Sequence, residues 1–224
     1  MNASEPHTKN GNDARASLIS VQVGVPRIVT QDGQDVSTGI FKYPVQMRVQ
    51  IRTFNLDGDR QADLTVHGGR DKAVYGYPSE HYPFWKKELP GVELPWGSFG
   101  ENLTTSGLLE GTVYIGDRFT IGTAEVVVTQ PRLPCFKLNL KFQRDDLIKR
   151  FLASGRTGFY FRVLREGEVG AGDEIVRVHQ DENLVSISDA LNAYLGAPNA
   201  AELRERALRV KFLSDSWREE FQKE

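Results

Sequence analysis

Short β-branched runs separated by Gly, Asp and Pro recur along the chain, and they constrain its fold more than any other feature. They fall at 18–25, 46–51, 113–121, 125–130, 158–164 and 174–179. This spacing predicts a mainly β fold with some helix, closed up in a barrel-like way. The pair of runs around Gly122 and Thr123 predicts a tight hairpin, because Phe119 and Ile121 alternate before the turn and Val126 and Val128 after it. Its second strand leads directly into Pro131-Arg132-Leu133-Pro134-Cys135. Two prolines in five residues end strand pairing, which places Cys135 on a stiff loop at a strand end.

Helical patterns interrupt the strands at 79–89, where Ser79 is placed to cap, and at 144–154, where Gly155 is placed to terminate. Beyond Asp181-Glu182-Asn183 the β pattern stops, and three short helices are predicted at 186–195, 199–208 and 214–222. None is long enough to be stable alone. Their Ile187, Leu191, Leu195, Leu203, Leu208, Phe212 and Trp217 must therefore be buried against one another or against a partner. The resulting organisation is a disordered N-terminal tail over 1–17, a barrel-like β domain over 18–180 and a small three-helix domain over 184–224.

Composition removes several classes of function. With 28 Lys and Arg against 30 Asp and Glu in 224 residues, no bulk positive charge is available to hold a nucleic acid polymer. No apolar run reaches a membrane span or a signal peptide, which predicts a cytoplasmic protein. The single cysteine, Cys135, excludes an intramolecular disulfide, a cysteine-rich zinc site and a cysteine-ligated iron–sulfur cluster.

Three stretches are candidates for chemistry. His67-Gly68-Gly69-Arg70-Asp71-Lys72 joins a histidine to two glycines and three charges in a turn-prone segment, a combination suited to an anion. Phe99-Gly100-Glu101-Asn102 offers flexible backbone beside an amide, without the spacing of a Walker loop or a dinucleotide fingerprint. Around Cys135, Arg132 and Lys137 favour the thiolate, which is both nucleophile and soft metal ligand; Phe136 and Leu138 equally suit a thiol buried as a small hydrophobe. The cluster His81, Tyr82, Phe84, Trp85 has helical spacing and reads as core. Asp57-Gly58-Asp59 lacks the later ligands of a calcium loop and reads as a turn, and Glu202, Arg204, Glu205 and Arg206 read as a solvated helix face.

Taken in order, His67 to Tyr75, Phe99 to Leu103, Gly116-Asp117 and Gln130 to Leu138 resemble the MOSC domain family, and within it the YiiM branch. The resemblance covers about 18–180, and the helical tail is similar to the three-helix domain that follows MOSC in that branch. It implies a protein that binds the molybdenum cofactor, a phosphate-bearing pterin dithiolene, with Cys135 as ligand to the metal. It implies cofactor contacts from His67, Gly68, Gly69, Arg70, Asp71, Lys72, Phe99, Gly100, Glu101, Asn102, Arg132 and Lys137, with His67 and Asp71 as proton-relaying catalytic groups beside Cys135. More distant molybdenum-binding MOSC proteins carry Arg-Pro before the asparagine, whereas Gly100-Glu101 precede Asn102 here; a phosphate contact made by that arginine falls to Arg70 or Lys72.

The implied activity is reduction of small N-hydroxylated compounds, such as N-hydroxylated purine bases, by oxygen transfer to the metal. With no flavin or nicotinamide fingerprint, electrons are expected from a separate reductase, with the helical tail as a dock for it or for a second copy of the chain in a homodimer. Two other readings use the same residues: a sulfur carrier working through a Cys135 persulfide, and a non-catalytic protein that binds or stores the cofactor.

Overall fold

The structure, a computed structural model, describes residues 15–31, 33–62 and 68–223 of the chain. Most of the expected tail, 1–14, lies outside the described residues, as does His67. The first strands are β1 (Ser17–Val23), β2 (Arg27–Gln31), β3 (Gln34–Thr38), β4 (Tyr43–Val45) and β5 (Val49–Ile51). They are followed by β6 (Val74–Pro78), α1 (Tyr82–Glu88), β7 (Leu103–Ser106), β8 (Arg118–Ile121) and β9 (Ala124–Pro131). Next come α2 (Phe136–Phe142), α3 (Leu147–Ser154), β10 (Phe159–Arg165), β11 (Gly167–Val169) and β12 (Ile175–His179). The chain ends in α4 (Ile187–Tyr194), α5 (Ala200–Arg209) and α6 (Asp215–Phe221).

Eight strands form one sheet in the order β12-β8-β9-β10-β6-β7-β1-β4. All its pairs are antiparallel except β6 with β7. The mainly β fold with helices is as predicted, but the sheet does not close into a barrel. It curls far enough for an isolated bridge, Ser17 to Glu174, to join its first strand to the entry of its last. The hairpin turns where expected, with Ile121 opposite Ala124.

Two cores flank this frame. One joins sheet residues such as Val126, Val128, Phe159 and Phe161 to Ile187, Ala190, Leu203 and Trp217 of the last three helices. The other is aromatic and contains Tyr75, Tyr77, Tyr82, Trp85, Phe99 and Phe151. His81, Tyr82 and Trp85 are buried as the spacing predicts. Leu195 is instead half exposed at 50%, and Phe212 is only partly buried, whereas Val210 and Leu213 beside it are fully buried.

Local signals account for most element ends. Ser186 caps α4 in a full capping box with Asp189, Ser214 caps α6, and Gly155 ends α3 at φ +66°. The Ser79 cap is not made, because Ser79 lies inside a 3-10 turn and its hydroxyl bonds Glu80 at 3.3 Å. Pairing also continues one residue further than predicted, since Pro131 is still in register with Phe159. Pro131 ends β9, where its missing N–H costs the ladder least.

Candidate functional site

Cys135 ends the short loop that follows β9, as predicted, and is also the N-cap of α2, a helix absent from the sequence reading. The chain leaves β9 at Pro131, and the Arg132 N–H donates to the Gly158 carbonyl at 3.2 Å. Gly158 has φ +65°, and a Cβ there would come within 2.4 Å of the Gly76 carbonyl oxygen, so glycine is required where β6 and β10 converge. Next to it, the Tyr75 hydroxyl donates to the Thr157 carbonyl at 2.7 Å. The strand ends thus hold Pro131 and Arg132, where the segment leading to Cys135 begins.

Cys135 is half-buried and borders a cleft of about 660 Å³, solvent-open space included. Lys42, Arg60, Lys72, Arg132 and Lys137 line it, with Asp59 as the one acidic residue among the described lining. Such a surplus of cations in a cleft concentrates positive potential and favours an anionic ligand. Arg132 is central. Its side chain is buried at 5% exposure, and its guanidinium carbon lies 5.3 Å from the Tyr75 ring centre and 5.4 Å from that of Phe151. Burial alone would lower its pKa, but Tyr75, Tyr160 and Cys135 act together to raise it, so the charge persists. Its Nη1 has no protein partner. A buried charged donor left unpaired is costly, which marks the place where a ligand atom belongs.

The other cations are held differently. Lys42 pairs with Asp59, whose Oδ1 also accepts from the Gly24 N–H at 2.9 Å. Burial lowers the pKa of Lys72, against the opposing charge of Asp71. Burial also raises that of Tyr160, a tendency Arg132 opposes. Lys141 lies behind the cleft, donating to the Ile40 carbonyl at 3.2 Å and that of Gly97 at 2.8 Å. Burial lowers its pKa to about 8, helped by Lys42 and opposed by Glu101.

Of the sequence candidates, Lys72, Gly100, Asn102, Arg132, Cys135 and Lys137 line this one cleft. Asn102 does so with its amide already used: Oδ1 accepts from the Tyr75 N–H at 3.2 Å, and Nδ2 donates to Asp59 at 3.0 Å. Phe99 and Glu101 are not among its lining residues. Phe99 is fully buried in the aromatic core, and the buried Glu101 carboxylate accepts from Tyr82, the Gly97 and Phe99 N–H groups and Thr104. The alternation of the loop turns both inward, where they serve the scaffold. Asp71 lies off the cleft, its carboxylate bound by Arg162 of β10 with Nε at 2.7 Å. Gly68, Gly69 and Arg70 also lie off it, and Arg70 is exposed.

Lys42, Asp59, Tyr75 and Tyr160 were missed as site residues. The Asp57-Gly58-Asp59 turn was the one local signal, and it hid a buried carboxylate whose partners lie 17 to 43 residues away. The face Glu202 to Arg206 is also more than solvated, since Arg204 donates to the Ala193 carbonyl and Arg206 to those of Asn183 and Leu184.

The fold agrees with the comparison to known proteins. The MOSC domain profile matches residues 63–176. YflK of Bacillus subtilis is 44% identical over 210 residues, spanning 93% of this chain and 94% of its own. YiiM of Escherichia coli is 37% identical over 188 residues, spanning 83% of this chain and 84% of its own. The crystal structure of YiiM from Geobacillus stearothermophilus superposes with a TM-score of 0.78 at 37% identity, over 92% of this chain and 97% of that one. The chain belongs to the MOSC domain family. Within that family it is a protein of the YiiM branch. MOSC domains are associated with molybdenum cofactor binding. No helix among the described residues is long and apolar enough to cross a membrane.

Proposed function

We propose that the cationic cleft binds a molybdenum cofactor, with Cys135 as the protein ligand to the metal, and that the protein reduces small N-hydroxylated compounds to amines. The observation that carries this reading is the buried, partly unpaired Arg132 guanidinium on the same wall as the half-buried Cys135 thiol. The residues suit the group. Its phosphate needs charged donors, which Arg132, Lys72 and Lys137 supply, and its metal already carries two dithiolene sulfurs and accepts a soft thiolate. Among the described residues there is no cluster of three His, Cys, Asp or Glu able to hold a metal, so the metal would arrive with its own ligands.

When bound, the cofactor supplies two-electron oxygen-transfer chemistry. The net reaction breaks the N–O bond: R–NHOH, two electrons and two protons give R–NH₂ and water. A separate electron-donating reductase supplies the electrons, and a cytoplasmic setting keeps the lone thiol reduced. Arg132 and Lys137 would hold the anionic end, Cys135 at the N-cap of α2 would offer its thiol to the metal, and Tyr75 and Phe151 flank the Arg132 guanidinium. Among the relatives, a Gibberella moniliformis protein named Reductase is 36% identical over 146 residues, which span 64% of this chain and 26% of that protein.

The test is protein purified from a host rich in molybdenum cofactor. It is expected to carry molybdenum and, with an artificial reductant, to convert 6-hydroxylaminopurine to adenine, whereas Cys135→Ala loses metal and activity together. Metal-loaded protein that leaves every N-hydroxylated substrate untouched overturns the reading.

A further inference from the structure

Cys135 borders a second cleft as well, and nothing in the cofactor reading uses it. This space, about 790 Å³ with its solvent-open part, lies between the ends of β9 and β10 and the helical tail. Its walls differ from those of the cationic cleft. Tyr160, Tyr194 and Trp217 provide aromatic surface, Gln130 an amide and Glu220 a carboxylate, the latter also paired with Lys223 at 2.6 Å. The Tyr194 and Trp217 rings lie 5.5 Å apart.

Gln130 gives the second, independent sign of a ligand. It is buried at 3% exposure, its Nε2 makes a long contact of 3.4 Å with the Pro131 carbonyl, and its Oε1 has no partner. A buried amide oxygen without a donor is a place for a ligand N–H or O–H. Aromatic walls with a few placed polar groups suit a flat, partly apolar molecule. The two clefts share Lys72, Leu133, Cys135 and Tyr160 as a common wall, so a molecule in the second lies beside the same thiol as one in the first.

We propose that the second cleft is the substrate subsite, and that it selects planar nitrogen heterocycles bearing N–H donors over aliphatic N-hydroxylated compounds. Gln130 Oε1 accepts from the ring or its exocyclic nitrogen, Tyr160, Tyr194 and Trp217 hold the plane, and the reactive N–O end faces Cys135. The helical tail thereby becomes part of the specificity apparatus through Tyr194 and Trp217. This inference rests on the proposed function for its reactive end but not for its binding, which can be measured separately.

The experiment uses the protein as purified from the cofactor-rich host, with adenine as probe and calorimetry as readout. Adenine is expected to bind, with Kd raised about tenfold in Gln130→Leu and about fivefold in Tyr194→Ala, while molybdenum content stays at the unmutated level. In turnover, both variants are expected to lower kcat/KM for 6-hydroxylaminopurine by a larger factor than that for N-methylhydroxylamine. Tyr194 is 37% exposed, so its truncation keeps the test valid if the Gln130 variant fails to fold. Adenine that does not bind, or binds both variants as it binds the unmutated protein, overturns the subsite even if turnover is present. Adenine binding weakened by both variants in a protein inert toward every N-hydroxylated compound supports the subsite and sinks only the proposed function.

Discussion

The loop ending at Asn102 and the segment from Gln130 to Cys135 both look like ligand sites in the sequence, yet the structure uses them oppositely. In the first, the Glu101 carboxylate takes donors from Tyr82, Gly97, Phe99 and Thr104, and both ends of the Asn102 amide are bonded. In the second, Arg132 Nη1 and Gln130 Oε1 are buried without partners. A polar residue that is buried and satisfied holds the fold, whereas one that is buried and unsatisfied is kept for something else. The same residue types therefore carry opposite meanings, decided by whether the protein itself completes their hydrogen bonds.

The contrast can be broken by mutation. The largest effect is expected from Glu101→Leu, which strands buried donors and should cost about 3–5 kcal/mol of unfolding free energy in a urea titration. A loss under 1 kcal/mol would show that the loop is not scaffold.

Lys141 sits between the two regions, and its prediction is one of pH. Its folded pKa of about 8 lies below the ordinary lysine value of 10.5, so from pH 8 to 10.5 the unfolded chain binds more protons and stability rises with pH. Below pH 8 both states are protonated and the burial penalty is felt in full. Lys141→Met should thus lose, relative to the unmutated protein, roughly 3 kcal/mol between pH 8 and 10.5. Parallel stability curves for the two proteins would exclude it.

Arg132→Met removes a buried charge that the protein only partly pairs, so stability should change by no more than about 1 kcal/mol, in either direction. Its molybdenum content should nevertheless fall at least about tenfold, as expected when a buried charged donor to an anion is lost. Cys135→Ala should have the smallest effect on unfolding, about 0.5 kcal/mol, because the thiol is only half-buried. Its metal content should drop to background by mass spectrometry. Should Arg132→Met unfold the protein while Glu101→Leu leaves it intact, the assignment of scaffold and site would be reversed.

What could be read from the sequence follows the reach of each interaction. The Gly122 turn, the Ser186 and Ser214 caps and the Gly155 stop depend on neighbours within four residues, so their residue types declare them. Helix α2 was missed because Pro134 and Cys135 before it look like loop and no Ser, Thr, Asp or Asn occupies its N-cap. Asp71 reads as a working acid in the sequence because Arg162, which binds it, is 91 residues away. Asp59 reads as a turn residue for a related reason: its partners Gly24, Lys42 and Asn102 meet it only once the sheet has formed.

By itself the sequence determined a β-rich chain followed by three short helices, a single thiol set among cations, and membership in a family through four ordered motifs. Periodicity, capping and turn chemistry are local, and they act before the chain has collapsed. Only the tertiary structure decided which of those polar groups are spent on one another and which face an open cleft. That choice depends on contacts between strands far apart in sequence, and the desolvation that makes an unpaired group informative exists only inside the folded molecule.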